Sequence, residues 1–229
     1  MADLLWDRKP PPSRGPKPAM TLEGIAQAGI AIADAEGLDA ASMQRVAAEL
    51  SFTKMSLYRY VPGKAELVAV MTDLAIDTPP GHPGLGWRES LTAWALDLYA
   101  GFERHPCLLL STVGRRALGP NELTWMDRGV QALSASGLNG GEQLDSVLVI
   151  TGHVRTIAQQ AVTLPGGTTG VTEEHITSAL TDVLKTHADR FPGLAAAMRS
   201  IDGNQNQGLT FGLDRILDGI ELLITARKD

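Results

Sequence analysis

SMQRVAAELSFTKMSLYRYVPGK, residues 42–64, is the stretch on which the fold turns. It reads as two short amphipathic helices joined by a tight turn. After Ser42, the apolar Val46, Ala47 and Leu50 recur at helical spacing and give one inward face. A second helix is predicted over Lys54–Tyr60. Thr53 is its N-cap, since a hydroxyl there satisfies a free amide of the first turn. Pro62-Gly63 breaks the chain after it. Leu57 anchors this helix, with part of Tyr58 or Val61. Thr53, Lys54, Met55, Ser56, Arg59 and Tyr60 are left facing outward. In a helix-turn-helix the first helix braces across the DNA backbone and the second enters the major groove. The outward side chains suit both tasks. A cation meets phosphates or guanine edges, and a thioether touches a thymine methyl. Ser42 and Lys64 stand at helix starts, where a hydroxyl, backbone amides and a cation can hold phosphates. An ordinary helical hairpin with a solvated face fits the same pattern, and the spacing alone does not separate the two.

The flanks extend the helical reading. A helix is predicted from Leu22 to Ala35, capped by Thr21 and stopped at Gly37, with Ile25, Ala26, Gly29, Ile32 and Ala33 on one side. Another runs from Lys64 to about Asp77. Thr78–Gly86 holds three prolines and three glycines and is a loop. The first twenty residues read as a flexible arm. Pro10, Pro11, Pro12, Pro16 and Pro18 oppose a helix there, and Arg8, Lys9, Arg14 and Lys17 make it basic. Basic arms of this kind lie in minor grooves beside a helix-turn-helix; a solubilising tail has the same composition. The remainder reads as helices over Trp87–Arg104, Cys107–Leu118, Asn121–Ser136, Glu142–Leu164, Glu173–Arg190 and Leu209–Ala226, with loops at 165–172 and 202–208. The class is therefore all-α: an arm over residues 1–20, a helix-turn-helix unit over 21–70 and a second helical unit over 71–229. The boundary falls near Met71, on a helix that can belong to both units.

Charge and composition narrow the function. The net charge is −6, which argues against indiscriminate nucleic-acid binding. Residues 1–64 carry eight Lys/Arg against seven Asp/Glu, and the rest twelve against nineteen. A small basic patch on an acidic body suits contact with DNA over a limited area. Hydrophobic residues are 44% of the chain, enough for a sizeable core. The one cysteine, Cys107, cannot form an intrachain disulfide, which fits a reducing cytoplasm; a buried apolar thiol is the expected reading. No apolar run reaches membrane-spanning length, and the proline-rich start is no signal peptide. The five histidines have no metal-ligand spacing, and there is no H-E-x-x-H or G-x-S-x-G. Gly63-Lys64 lacks the upstream glycine of a phosphate loop, because Tyr58 stands there. Gly166-Gly167-Thr168-Thr169-Gly170 follows a helix rather than a strand, so it is no dinucleotide fingerprint. The sequence calls for no metal, no cofactor and no catalysis.

About residues 21–75 resemble the DNA-binding domain of the tetracycline-repressor (TetR) family of bacterial regulators. The resemblance rests on an Ala/Gly-rich first helix, Gly37-Leu38, then Val46-Ala47-Ala48-Glu49-Leu50, Ser56-Leu57-Tyr58-Arg59-Tyr60-Val61, and Lys64 with Glu66-Leu67. It implies that Ser42, Gln44, Lys54, Met55, Ser56, Tyr58, Tyr60 and Lys64 face DNA. Tyr58 and Lys64 would hold phosphates. Lys54, Met55 and Ser56 would read bases, and Gln44 with them. One departure is Ser51, where the family has Gly at a left-handed position; Ser there costs about 1 kcal/mol or less. The resemblance also implies a C-terminal unit that binds a small effector and forms the dimer. Trp87, His105-Pro106 and the Phe211-Gly212-Leu213 to Ile220 run match that part.

Independently of the resemblance, two stripes look too apolar for solvent. Leu144, Val147, Leu148, Thr151, Val154, Ala158 and Ala161 line one, and Leu213, Ile216, Leu217, Ile220, Leu223 and Ile224 the other. Helices 142–164 and 209–226 are thus expected to build a four-helix homodimer interface, with internal core packing as the alternative. Trp94, Leu98, Phe102, Trp125, Met126 and His153 are candidates for an effector pocket, although each also fits a core. Such a pocket predicts a hydrophobic or aromatic effector. The expected protein is a repressor that binds a palindromic operator as a dimer and leaves it on binding effector. A ligand-insensitive DNA-binding protein, or a small-molecule binder with a vestigial helix-turn-helix, remain the alternatives.

Overall fold

The computed structural model describes residues 2–6, 20–114, 116–162, 173–201 and 208–227. Every regular element among them is helical: α1 Ala2–Trp6, α2 Leu22–Glu36, α3 Met43–Glu49, α4 Lys54–Leu57, α5 Lys64–Ile76, α6 Trp87–Arg104, α7 Leu108–Ser111, α8 Pro120–Ala132, α9 Gly140–Ala161, α10 Glu173–His187, α11 Pro192–Arg199 and α12 Gly208–Ala226. The caps are those the sequence names. Thr21, Ser42 and Thr53 each accept a backbone N–H of the first turn of α2, α3 and α4. Asn139 and Glu142 close a reciprocal capping box on α9. Pro120 opens α8 at its first turn, where its missing N–H removes no helical bond.

The fold follows from which faces are apolar. Helix α2 buries Ile25, Ala26, Ile30, Ile32 and Ala33 and lies along α5. Gly29 permits the close approach: a β-carbon there would stand 2.6 Å from Met71 Sδ. On its other sides α5 packs on α6, α7 and α8. It is buried nearly all round, through Leu67, Ala69, Val70, Met71, Thr72, Asp73 and Ala75. The body is a bundle in which α9 packs against α6, α8 and α12.

Several expectations are corrected. The arm is not irregular from its start: Ala2–Trp6 is helical, and Leu5 is buried as α1 packs on α5. The adjacent Leu4, Leu5 and Trp6 supply apolar area that the downstream prolines do not cancel. The prolines and Arg8, Lys9, Arg14 and Lys17 lie outside the described residues, as do the loops at 165–172 and 202–207. The helix expected over Cys107–Leu118 is only α7. Thr112 and Val113 are poor helix formers, and Gly114 at φ +88° turns the chain left-handed. The recognition helix is a single turn, Lys54–Leu57, and tightens beyond it: Tyr60 N donates to Leu57 O at 2.8 Å. Glu173–Arg190 ends as a 3₁₀ turn over Ala188–Arg190. Helix α11, opened by Pro192 and carried by three alanines, was not anticipated.

Candidate nucleic-acid interface

The turn between α3 and α4 is set by backbone geometry. Ser51 takes φ +58°, the left-handed conformation expected of it. Around it Ser51 N donates to Ala48 O at 3.0 Å and Phe52 N to Ala47 O at 2.9 Å. The open carbonyls of α3 are thereby satisfied, and α4 leaves at a fixed angle. Leu57 and Val61 are both fully buried and fasten α4, which packs on α3, to the core; of the two suggested co-anchors, Val61 has the role and Tyr58 does not.

What remains outside α4 is what the sequence reading assigned to DNA. Met55 is 73% exposed, an apolar side chain with no core to enter. Lys54 is exposed, with Nζ 5.7 Å from the Tyr58 ring centroid. Tyr58, Arg59 and Gln44 are exposed too. Ser56 Oγ and Thr53 Oγ1 lie 2.9 Å apart and hydrogen-bond to each other. Tyr60 is half-buried against the core, leaving only part of it outward. Lys64 Nζ donates to Asp39 O at 3.3 Å and pairs with Asp39 Oδ1 at 3.4 Å. Ser42 Oγ caps Arg45 N. Arg45 is not part of the basic face. Its guanidinium bridges Glu49 at 2.6 Å and Glu36 at 2.9 Å, and those hydrogen bonds raise its pKa further. Among the described residues, the cations available on this surface are Lys54, Arg59 and Lys64.

The interface is tied to the body at two places. Asp34, on α2, accepts Cys107 N at 3.1 Å and meets His105 Nδ1 at 2.8 Å. Burial pushes the Cys107 thiol well above its ordinary range, so it is an inert packing group. The second tie is α5. Asp73, completely buried, accepts Asn121 N at 2.8 Å and Glu122 N at 3.3 Å, while Asn121 Nδ2 donates to Asp73 O at 2.7 Å. A carboxylate thus caps the N-terminus of α8, where the helix dipole favours it. Gly119 leaves the room, since a β-carbon there would fall 2.1 Å from Asp73 Oδ1. Farther along, Trp125 Nε1 donates to Asp77 O at 3.0 Å and Ile76 O at 3.3 Å. The C-terminal end of α5 is therefore fastened to α8.

The six effector candidates divide. Trp94 and Trp125 meet with ring centroids 6.0 Å apart, and Trp94 Nε1 donates to Trp125 O at 3.0 Å. Leu98 and Phe102 follow Trp94 on the same buried face of α6. Met126 is half-buried on α8. His153 is elsewhere. Its Nε2 hydrogen-bonds Leu209 O at 2.9 Å, and its ring lies on Gly212, whose β-carbon position is 2.2 Å from His153 Cε1. It joins α9 to α12 rather than facing a chamber. A cleft of about 740 Å³ opens between the Pro80–Gly86 loop, α6 and the end of α8, with Trp87, Trp94, Arg128, Gln131 and Ser134 in its walls. Trp94 alone of the six candidates reaches it. Sequence reasoning missed Asp34, Asp73, Asn121, Arg116, Glu122 and Arg155. Their partners are 6 to 73 residues away, and a buried charge without a motif carries no local signal.

The two apolar stripes are only partly free. Val147, Val154, Ala158, Leu213, Leu217, Ile220 and Ile224 are buried within the protomer, so the alternative reading holds for them. The uncovered faces are Leu144, Leu148 and Val149 on α9, and Phe211, Leu222 and Leu223 on α12, with Leu148 58% and Leu222 73% exposed. No helix among the described residues is long and apolar enough to cross a membrane.

Comparison with known proteins agrees with this geometry. Residues 25–71 match the family model described as bacterial regulatory proteins, tetR family, and residues 79–224 match the tetracyclin repressor-like C-terminal domain. The chain is 38% identical over 234 aligned residues to the HTH-type transcriptional repressor DrrR1 of Streptomyces coeruleorubidus, covering 99% of this chain and 86% of that protein. Apo ActR from Streptomyces coelicolor superposes with a TM-score of 0.75 at 27% identity, covering 92% of this chain and 99% of that one. ActR in complex with actinorhodin gives 0.72 at 28%, covering 88% and 95%. The helix-turn-helix and the helical body behind it are matched by separate models that together run from Ile25 to Ile224, and the chain belongs to the tetracycline-repressor family of bacterial transcriptional regulators.

Proposed function

We propose that the protein is a cytoplasmic repressor that binds a palindromic operator as a homodimer and leaves it when a small effector enters the body. The observation that carries this reading is α5. It is packed against α2 of the DNA-binding unit and held at its far end by Asp73 and Trp125 to α8. A displacement of α8 is thereby transmitted to the reading head. The division between units, 21–70 and 71–229, falls on this helix near Met71, with residues 1–20 as an arm. The relationship to a named repressor, and to a regulator solved with and without a ligand, supports the same reading.

In the bound state Tyr58, Lys64, Arg59 and the helix starts at Ser42 and Thr53 meet phosphates. Lys54, Met55 and Ser56, with Gln44 beside them, read base edges, and Tyr60 supports them from its half-buried place. The dimer forms through α9 and α12, on the faces of Leu148 and Leu222. Two recognition helices then address half-sites about 34–36 Å apart. The effector lies between α6, α8 and α9, with Trp94, Leu98 and Phe102 as an apolar wall and the cleft at Trp94 as its open end. It acts only through different affinity for two poses of α5, with a typical coupling of ~1–3 kcal/mol. Selection from random duplexes is expected to return an inverted repeat bound by a dimer in light scattering. Recovery of no palindrome, or a strictly monomeric protein at micromolar concentration, would falsify the proposal.

A further inference from the structure

Behind the reading head the body holds two arginines largely away from solvent, Arg155 and Arg116. Arg155, on α9, is half-buried, with its guanidinium 5.2 Å from the Phe102 ring centroid and Nη1 donating to Leu109 O at 3.1 Å. It has no carboxylate partner among the described residues. Arg116, in the segment before α8, makes a two-pronged pair with Glu122 and donates from Nη2 to Thr112 O at 3.3 Å. Both guanidiniums therefore grip carbonyls at the end of α7. Two further polar groups there lack hydrogen-bond partners among the described residues: Arg116 Nε, and Oγ of Ser111, a residue only 4% exposed. Burial, and then the charge of Arg116, lower the Arg155 pKa, so the two cations feel each other. A buried cation and buried unpaired donors are each costly unless something answers them.

We propose that the effector is an apolar molecule bearing a carboxylate, and that Arg155 and Arg116 receive this group with Ser111 Oγ as a further donor. This rests on the effector reading above and names the chemistry of its ligand. The cleft lining stops at Trp94, and Leu98 and Phe102 beyond it are buried, so the ligand has to part the packing along α6. The α6 face that starts in the cleft at Trp94 ends two helical turns later at Phe102, about 12 Å away, directly under the Arg155 guanidinium. An apolar body along that wall brings its carboxylate to the arginines. The same geometry couples binding to the head. Glu122 accepts from Arg116 while its own N–H donates to Asp73 Oδ1. A ligand carboxylate that competes for Arg116 leaves the buried Glu122 charge uncompensated in the first turn of α8. The α8 N-terminus, and α5 with it, is then driven toward another pose.

The test uses the full-length dimer and a matched probe pair, 2-naphthoate and its neutral analogue 2-naphthamide. Binding is read by thermal shift and by tryptophan fluorescence. The naphthoate is expected to bind at least tenfold tighter than the amide. Arg155→Gln should remove that preference, weakening naphthoate about tenfold to a hundredfold, while Arg155→Lys should keep part of it. Glu122→Gln should tighten naphthoate, because the internal competitor for Arg116 is gone; a folding defect cannot produce that sign. Equal stabilisation by both probes, or by neither, overturns the proposal, as does a Glu122→Gln protein that binds naphthoate no better than wild type. Operator binding is measured in parallel. If the selected palindrome is bound and only neutral compounds release it, the carboxylate inference fails and the repressor reading stands. If no DNA is bound but naphthoate is still preferred, the repressor reading fails instead.

Discussion

The reading head keeps its charges in water, and the body buries a few of its own. On the head, Lys54, Arg59 and Lys64 stand exposed, and Arg45 is neutralised at the surface by Glu36 and Glu49. In the body, Asp73 and Glu122 are buried, Arg116 nearly so and Arg155 half. An exposed charge adds little to the stability of a fold, so the head is free to select side chains for a duplex. A buried charge is stable only with its partners in place. Any molecule that changes those partners therefore does work on the fold. On the proposed function, recognition would sit where substitutions are cheap, and control where they are not.

The sharpest way to break that contrast is Asp73→Ala. It removes a buried carboxylate that accepts two backbone amides of α8, and leaves those amides unpaired. A loss of about 3 kcal/mol in unfolding free energy is expected, read from denaturant midpoints at fixed protein concentration. The surviving folded protein should also bind its operator with a weakened response to effector, because α8 then holds α5 only through Trp125 and the Asn121 side chain. A variant of wild-type stability and wild-type response would remove α5 as the transmitting element.

The complementary change on the head is Lys54→Ala. Its unfolding free energy should stay within about 0.5 kcal/mol of wild type. Operator affinity should fall by about 1–3 kcal/mol if Lys54 reads a base. Arg45→Ala is the control on the same surface. Its guanidinium is held by two carboxylates, so the slope of log affinity against log salt should not change. Gel-shift titrations over a salt series measure both. A Lys54→Ala protein as tight as wild type would take base reading away from the start of α4.

The same division governs what was legible in the sequence. The head could be read because its signals are local: Thr53 caps an amide three residues on, and Pro62-Gly63 stops the chain where a pattern ends. Even the strained Ser51 was foreseeable from its place in the turn. In the body the decisive pairs are Asp34 with Cys107, Asp73 with Asn121 and Arg155 with Leu109. Nothing near any of these residues announces its partner. Periodicity found α6 to the residue and marked apolar faces on α9 and α12. It could not say which apolar side chains go inward, since buried and dimer-facing residues share one hydropathy. His153 stayed open between two readings for a similar reason. A histidine on an apolar helix fits a ligand contact or a helix-helix contact, and only the bare backbone of Gly212 decides.

That contact supplies a milder test of the body. Gly212→Ala places a β-carbon on the His153 ring and forces α12 off α9 or the imidazole out of its bond to Leu209 O. Overpacking of this kind costs about 1–3 kcal/mol. Because α9 and α12 carry the exposed Leu148 and Leu222 faces, the dimer should weaken as well, with dissociation at higher concentration in analytical ultracentrifugation. His153→Ala in the same background should recover part of both losses. No recovery would mean that the glycine serves something other than the histidine.

The smallest effect belongs to the turn itself. Ser51 sits at φ +58°, a conformation that costs a residue with a β-carbon about 1 kcal/mol or less, whereas glycine adopts it freely. Ser51→Gly also makes the unfolded chain more flexible, which offsets part of the gain. A net stabilisation of a few tenths of a kcal/mol is expected, with operator affinity unchanged, because the φ angle that aims α4 is already the one glycine would take. A destabilised variant would show that the Ser51 side chain supports the turn. A stabilised variant with altered DNA affinity would show that the backbone of the turn is not yet at its relaxed geometry. The contrast between head and body would then be less clean, because the head too would hold strain that a ligand, in this case DNA, can release.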